Sequence, residues 1–153
     1  MIYGPDIDLR EKVGILVRKA HFRASDVIAK HLKQHDLTPR QYSILCILSY
    51  GQFSQKELAE MIVITENVML ELALQLENRK LLARKRFQDD RRQYRLTLTA
   101  KGSQVYKAAT VQLEEAHKEL ARDFSPEEWK SGLAFLLKLC GPEAERYPGS
   151  GGR

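Results

Sequence analysis

The feature that most constrains the fold of this 153-residue chain is a pair of helix-start signals that follow each other closely in its middle. Ser54 and Glu57 have the spacing of a capping box, in which two side chains satisfy backbone N–H groups of a first helical turn. That helix should end near Met61, and Thr65 can then cap a second one that reaches about Arg79. The second helix would keep one apolar face, made by Val68, Leu72 and Leu76. Two short helices joined by so few residues predict a helix-turn-helix.

A strongly basic segment follows the second helix directly. Between Arg79 and Arg95, eight basic residues stand against Asp89 and Asp90, whereas the whole chain has a net charge of only +5. Residues on both sides of a polar tip at 88–91 indicate two short β-strands: Arg84, Arg86, Tyr94, Leu96 and Leu98. The segment therefore predicts a β-hairpin with a basic tip, suited to an anionic partner.

Further amphipathic helices are predicted before this unit. Apolar residues recur at steps of three and four from Leu9 to Leu32, which predicts one long first helix. A short second helix, ending near Ser49, has a complete start signal in its cap, first-turn proline and capping-box residue: Thr38, Pro39 and Gln41.

Two more helices are predicted after the hairpin. Thr99 can cap a long one, whose apolar stripe is formed by Val105, Ala109, Leu113, Ala116, Leu120 and Phe124. The last helix has a start signal at Ser125, Pro126 and Glu128. Its inner face would consist of Trp129, Leu133, Leu136, Leu137 and Cys140.

A helix-turn-helix followed by a basic two-stranded hairpin is a winged helix. The sequence thus predicts a mainly α fold with a small β-hairpin wing. In this fold, a winged helix-turn-helix lobe at 38–98 is flanked by long helices at 1–37 and 99–140. Residues 1–140 should form a single domain. The remainder, 141–153, has Gly and Pro without periodicity and is expected to be a mobile tail.

Several classes of function find no support in the sequence. No apolar run approaches the ~20 residues of a membrane-spanning helix, and the first residues lack a secretory signal pattern, so we expect a cytoplasmic protein without a membrane partner. No nucleophile–base signature, phosphate-binding glycine loop or supported carboxylate pair is present, so we expect neither catalysis nor a cofactor. His31 and His35 lie four residues apart, but two ligands are too few for a metal site.

The cysteines and large aromatic residues also favour structural roles. Cys46 and Cys140 lie in apolar helical contexts, which favours two small buried thiols over a disulfide, with redox control as an alternative. Three aromatic residues could line a ligand pocket, but at helical spacing they are more often part of a core: Tyr42, Trp129 and Phe135.

Three segments together resemble the MarR (multiple antibiotic resistance regulator) transcription factors over roughly residues 8–140. LTPRQYSILCIL resembles the family's second-helix signature, and SQKELAEMI resembles its first helix-turn-helix element. The most specific segment is DDRRQYRLTLTAKG. It combines Asp90 and Arg92 at the wing tip with an LTxKG helix start at Leu98–Gly102.

This resemblance implies a homodimer whose first and last helices intertwine, so that 1–37 and 99–140 are dimerisation helices. It also implies two winged lobes on a pseudo-palindrome in double-stranded DNA. Most family members are repressors, often relieved by a small anionic or phenolic effector that lodges between the dimer helices and the DNA-binding lobe. The long apolar stripes of the flanking helices support dimerisation independently, because they exceed what one small lobe needs to cover its core.

Ten residues are candidates for the DNA site. Two beside the first capped helix start suit phosphate positioning: Gln55 and Lys56. Three at the start of the next helix suit base reading: Thr65, Glu66 and Asn67. Four in the wing suit phosphate or minor-groove contact: Arg84, Arg86, Arg91 and Arg92. Asp90 is interpreted as an orienting partner for Arg92 in the tip.

The second helix of the motif departs from the family pattern. Glu71 stands where the family usually has an Arg. A bidentate Arg–guanine contact is worth about 1–3 kcal/mol of discrimination, whereas Glu can only accept from cytosine. Val63 and Lys80 stand where the family usually has Gly, which predicts strain of about 1 kcal/mol wherever φ is positive. An alternative function is therefore a MarR-like scaffold that has lost sequence-specific reading and binds a protein or small ligand, through Met69 and Leu70 if these are exposed.

Overall fold

The computed structural model describes residues 8, 10, 12–86, 94–146 and 148. Six α-helices and three short strands make up the described fold: α1 (Val13–Leu32), α2 (Pro39–Leu48), β1 (Phe53–Ser54), α3 (Gln55–Met61), α4 (Glu66–Asn78), β2 (Leu82–Arg86), β3 (Tyr94–Leu98), α5 (Ala100–Ala121) and α6 (Pro126–Cys140). Short 3-10 helices follow α1 at Lys33–His35 and α6 at Gly141–Arg146. The predicted fold class, mainly α with a winged helix-turn-helix between long helices, is confirmed. The predicted wing tip at 88–91 lies outside the described residues.

The helix starts follow the sequence signals. Capping boxes are formed at the starts of α2, α3 and α6, by the pairs Thr38–Gln41, Ser54–Glu57 and Ser125–Glu128. Single caps by Thr65 and Thr99 begin α4 and α5. These bonds satisfy backbone N–H groups that have no partner within the helix, which is why the boundaries could be predicted locally.

The wing belongs to a three-stranded antiparallel sheet of order β1-β3-β2. β2 pairs with β3 in the register Arg84↔Leu96, and β1 adds the pair Phe53↔Leu96 on the other side of β3. Strand β1 was not predicted from the sequence. It has only two residues, too few to produce a strand-like alternation.

The core lies where α2, α3, α4 and the start of the sheet meet the middle of α5. Its largest fully buried side chains are Leu32, Ile44, Leu45, Leu58, Met69, Leu76, Leu81 and Leu96. The predicted inner face of α4 was partly wrong, because Met69 and Ala73 are fully buried whereas Val68 and Leu72 are only half-buried. Apolar residues cover so much of α4 that periodicity alone could not select the buried face.

The outer helices leave apolar surface uncovered in the single chain. In α1 only Leu32 is buried, and α6 has no buried residue. Leu133, Leu136 and Leu137, predicted to face inward, are 45–58% exposed. The prediction of two buried thiols was likewise wrong for a single chain, since Cys140 is exposed and Cys46 half-buried.

Both ends of the domain differ from the sequence prediction. Helix α1 begins at Val13 rather than at Leu9, and Leu9 itself lies outside the described residues. The 3-10 helix Gly141–Arg146 occupies the first part of the segment for which no regular structure was expected. None of the described helices is both long enough and apolar enough to span a membrane.

The start of α5 is clamped onto the turn between α4 and β2. The Leu81 carbonyl accepts from the Thr99 amide at 3.1 Å, and the Thr99 hydroxyl donates to the Lys80 carbonyl at 2.7 Å. Lys101 Nζ donates to the Arg79 carbonyl at 3.0 Å. At Gly102 the two backbones are so close that a Cβ atom would lie 1.8 Å from the Leu81 oxygen. Only glycine fits there, which gives the LTxKG sequence a structural cause.

Gly102→Ala is expected to lower the free energy of unfolding by about 2–3 kcal/mol, because the added methyl meets backbone that cannot rotate away. Denaturant unfolding of the two proteins measures this difference. Gly14→Ala is the matched control: a Cβ there has nothing within 4 Å, and Gly14 lies in an α-helix. The control should be neutral or stabilising by up to about 1 kcal/mol. Equal stability of Gly102→Ala and the wild type would contradict the clamp.

Candidate nucleic-acid interface

The helix-turn-helix is formed by α3 and α4 and the tight turn between them. Ile62 ends α3, and the Ile64 amide donates to the Ala59 carbonyl at 3.0 Å. Val63 lies in this turn with a φ of 56° and is 85% exposed. Lys80, after α4, has a φ of 60°. Backbone φ is therefore positive at both positions, which is the condition under which strain was expected, and both carry a Cβ penalty that glycine would avoid.

Helix α4 exposes the face opposite to its buried residues. Met69, Ala73 and Leu76 are fully buried, which fixes the rotation of the helix about its axis. The outward side consists of Glu66, Asn67, Leu70, Glu71 and Leu74. The patch of Met69 and Leu70 considered for the alternative function does not exist, because Met69 is a core residue and only Leu70 is exposed.

The first turn of α4 presents the three residues predicted to read bases. Thr65, Glu66 and Asn67 are all exposed. The Thr65 hydroxyl accepts from the Val68 amide at 3.4 Å, so its acceptor role is used by the cap and its hydroxyl proton remains for another partner. The helix N-terminus also offers a partial positive charge towards a phosphate or base acceptor.

The polar residues at the start of α3 have two different roles. Lys56 is exposed and Gln55 half-buried. Glu57 completes the cap and also lies 3.5 Å from Arg95, whose guanidinium donates to the Gln52 carbonyl at 3.0 Å. Of these charged residues, Lys56 alone is exposed on the lobe without serving a contact within it that the structure describes.

Not all of the basic segment faces solvent. Arg84 Nε donates to both carboxylate oxygens of Glu77, at 2.8 and 3.0 Å, and both side chains are largely shielded. Arg79 donates from its guanidinium to the carbonyls of His35 and Asp36. Arg84, a candidate for DNA contact, thus joins β2 to α4 within the lobe, and Arg79 joins the lobe to the segment that follows α1. Sequence reasoning missed these roles, although an acidic residue near the end of α4 was a signal for the Arg84 partner.

The exposed part of the wing includes Arg86. Its guanidinium lies 5.8 Å from the centre of the Tyr94 ring, and its Nε donates to the Tyr94 hydroxyl at 3.3 Å. This contact holds the Arg86 side chain across β2 and β3, at the last described residues before the wing tip. The candidates Asp90, Arg91 and Arg92 lie outside the described residues.

Polar side chains of α2 and α5 contact each other. The Tyr42 hydroxyl lies 3.0 Å from the Thr110 hydroxyl, and Tyr106 donates to the Cys46 sulfur at 3.7 Å. Burial raises the pKa of the Tyr42 phenol to about 12, so this residue is neutral at physiological pH. Tyr42 therefore has the expected core role, whereas Phe135 is 56% exposed.

His31 has a partner of a different kind from a metal. Its Nε2 lies 3.0 Å from the Glu119 carboxylate, which Lys30 also contacts at 3.3 Å. These two bonds hold the pKa of Glu119 below its usual range. Within the described part of the chain, no group of three His, Cys, Asp or Glu side chains comes together as a metal site.

The fold and this geometry match known DNA-binding regulators. The solved structure of BpsR from Bordetella bronchiseptica, whose DNA binding is regulated by 6-hydroxynicotinic acid, is 26% identical with a TM-score of 0.82, and the match covers 90% of this chain and 99% of that one. Escherichia coli MarR, solved as a mutant with operator DNA, has a TM-score of 0.78 at 20% identity, with 89% of this chain and 100% of that one covered. The chain has the MarR fold. The resemblance inferred from the sequence is confirmed.

A curated relative agrees with this MarR likeness. The homoprotocatechuate degradative operon repressor of Escherichia coli is 25% identical over 131 residues, which cover 85% of this chain and 88% of the relative. No protein-family model matches the chain. The proteins compared here are transcriptional regulators rather than enzymes.

A double-mutant cycle should show that Arg84, unlike the exposed cations of the MarR-like wing, stabilises the fold through Glu77. Arg84→Met and Glu77→Gln should each destabilise the protein, and the double variant should show a coupling free energy of about 1–2 kcal/mol, because each single change leaves a shielded charged group without its partner. Lys85→Met is the control, since Lys85 is the next residue and is exposed. Additive effects of the two changes in denaturant unfolding would show that the ion pair does not support the lobe.

Proposed function

We propose that the protein is a dimeric transcriptional regulator that binds pseudo-palindromic double-stranded DNA as a repressor and responds to a small effector. The observation that carries this proposal is the exposed face of α4. Its buried residues fix the rotation of this helix, which is the second helix of the helix-turn-helix and belongs to a lobe whose wing carries exposed cations. An α-helix of this kind fits the width of the major groove of B-DNA.

Charge on the lobe supports binding to the DNA backbone. Lys56 and Arg86 are exposed, while Arg79 and Arg84 are used in internal contacts. Backbone contacts supply most of the affinity of DNA-binding proteins, and base contacts supply the specificity. We therefore assign the backbone role to Lys56, Arg86 and the tip residues Arg91 and Arg92, and omit Arg84. Asp90 keeps its proposed role of orienting Arg92.

Uncovered apolar surface supports the homodimer. Exposed apolar residues are concentrated in the outer helices: Val13, Ile15, Leu16 and Phe22 in α1, and Leu133, Phe135, Leu136, Leu137 and Leu139 in α6. So much exposed apolar surface is unusual for a monomer. A second copy packed on it would bury α6 and bring two winged lobes into a twofold arrangement that matches a palindrome.

The response to an effector rests on the relatives and on a basic cleft. BpsR changes its DNA binding with 6-hydroxynicotinic acid. In this chain an open cleft of about 400 Å³ between the end of α1 and α5 is lined by Lys30, His31, Lys33, Gln34 and Gln112. Cations and amide groups suit an anionic or phenolic ligand. Such a ligand would compete with Glu119 for Lys30 and His31.

The proposal is tested by binding of the purified chain to the duplex that flanks its own gene, against random duplex, at two salt concentrations. We expect selective binding that weakens steeply with salt. Arg86→Ala and Arg92→Ala should each weaken binding tenfold or more and lower the salt slope by about one. Lys107→Ala removes an exposed cation from α5, outside the proposed DNA contacts and the apolar surface of α1 and α6, and should leave both quantities unchanged. Equal and weak binding to both duplexes would favour the alternative, a scaffold that no longer reads sequence.

A further inference from the structure

The outward face of α4 has an unusual composition for a helix that is proposed to contact DNA. It carries two exposed leucines, with Leu70 40% and Leu74 48% exposed, and two exposed carboxylates, Glu66 and Glu71. From Glu66 to Asn78 the helix has no Lys or Arg. A helix that enters the major groove with this face cannot form the Arg–guanine contact that is commonest among DNA readers.

We propose that Leu70 and Glu71 are the specificity-determining pair of this face, with Leu70 reading a thymine methyl group and Glu71 reading a cytosine amino group. This inference rests on the proposed DNA-binding function and deepens it. It defines the ligand as a half-site recognised through thymine and cytosine, without a direct guanine contact from α4.

The position of Leu70 is fixed by its neighbours. Met69 and Ala73, on either side of it along the helix, are fully buried. Rotation of α4 to bury Leu70 would expose Met69 and the equally buried Leu76, so Leu70 stays at the surface in the second turn. The thymine 5-methyl group is the apolar group that base edges present in the major groove. A contact between the two removes apolar surface from water on both partners.

Glu71 is set apart from the other carboxylate farther along the helix. Glu77 is paired with Arg84, whereas Glu71 is exposed and has no hydrogen bond or ion pair with any residue that the structure describes. Near the phosphates this charge is repulsive. On the base edges the cytosine amino group is a donor that a carboxylate can accept from. Glu71 therefore penalises every sequence that lacks a cytosine at the facing position, which is specificity by rejection.

Two parts of the lobe would therefore have opposite effects on DNA binding. Cations on α3 and the wing attract any duplex, and an acidic, apolar reading face rejects most of them. Loss of the Glu71 charge should thus increase binding to random DNA while it reduces selectivity. If Glu71 had only a structural role, loss of its charge would change neither the affinity for random DNA nor the selectivity.

The first test uses base analogues. Duplexes are selected from a random pool with the full-length chain, and each thymine of the selected half-site is replaced by deoxyuridine, which removes only the methyl group. We expect one position at which the wild type loses about fourfold in affinity. Leu70→Ala should bind the thymine and deoxyuridine duplexes equally, while Val111→Ala, which changes an exposed apolar residue of α5, should still discriminate.

The second test uses the charge. Glu71→Gln should bind random duplex more tightly than the wild type and lose its preference for cytosine at one position of the selected site. The outcomes distinguish the inference from the function on which it rests. Tight, selective binding without any effect of deoxyuridine or of Glu71→Gln overturns the inference and leaves the regulator intact. Failure to select any duplex over random DNA overturns both, and a Leu70-dependent protein partner would then explain the exposed face.

Discussion

The backbone contact between the start of α5 and the turn after α4 fixes the winged lobe against a long helix. The Leu81 carbonyl is so close to Gly102 that no side chain fits between them. Lys101 contacts the Arg79 carbonyl, and the Arg79 guanidinium in turn donates to the His35 and Asp36 carbonyls at the end of the 3-10 helix that follows α1. The end of α4 is therefore tied both to the start of α5 and to the 3-10 helix that follows α1.

The second constraint is the use of charge. Basic residues that look equivalent in the sequence serve two purposes in the structure. Arg79 and Arg84 stabilise the lobe through carbonyl and carboxylate partners, while Lys56 and Arg86 stay at the surface. Shielded pairs of this kind fix geometry, because removal of one member leaves a charge without compensation. Exposed cations interact at longer range and respond to salt. With this division, a modest net charge is compatible with both a stable lobe and the proposed attraction to DNA.

Features that depend on residues close together in the sequence could be predicted, whereas features that depend on tertiary packing could not. The caps at Thr38, Ser54 and Thr65 depend on residues three positions away, and all of them are formed as expected. The buried face of α4 was only partly predicted, because that helix is apolar on more than one side and tertiary packing makes the choice. The nearby Glu77 was a signal for a partner of Arg84, but the pairing itself depends on how β2 turns back on α4, which is set by tertiary packing. The expected inner face of α6 stays uncovered in one chain.

The central claim is that a twofold dimer presents two copies of α4 to the major groove. Chemical footprinting of the selected duplex, with one reagent for the major groove and one for the minor groove, tests it most directly. The account predicts two protected major-groove tracts whose centres lie about 10 base pairs, or a multiple of one turn, apart. Minor-groove protection by the wings should accompany each tract. A single major-groove tract, or protection confined to the minor groove, would contradict the account.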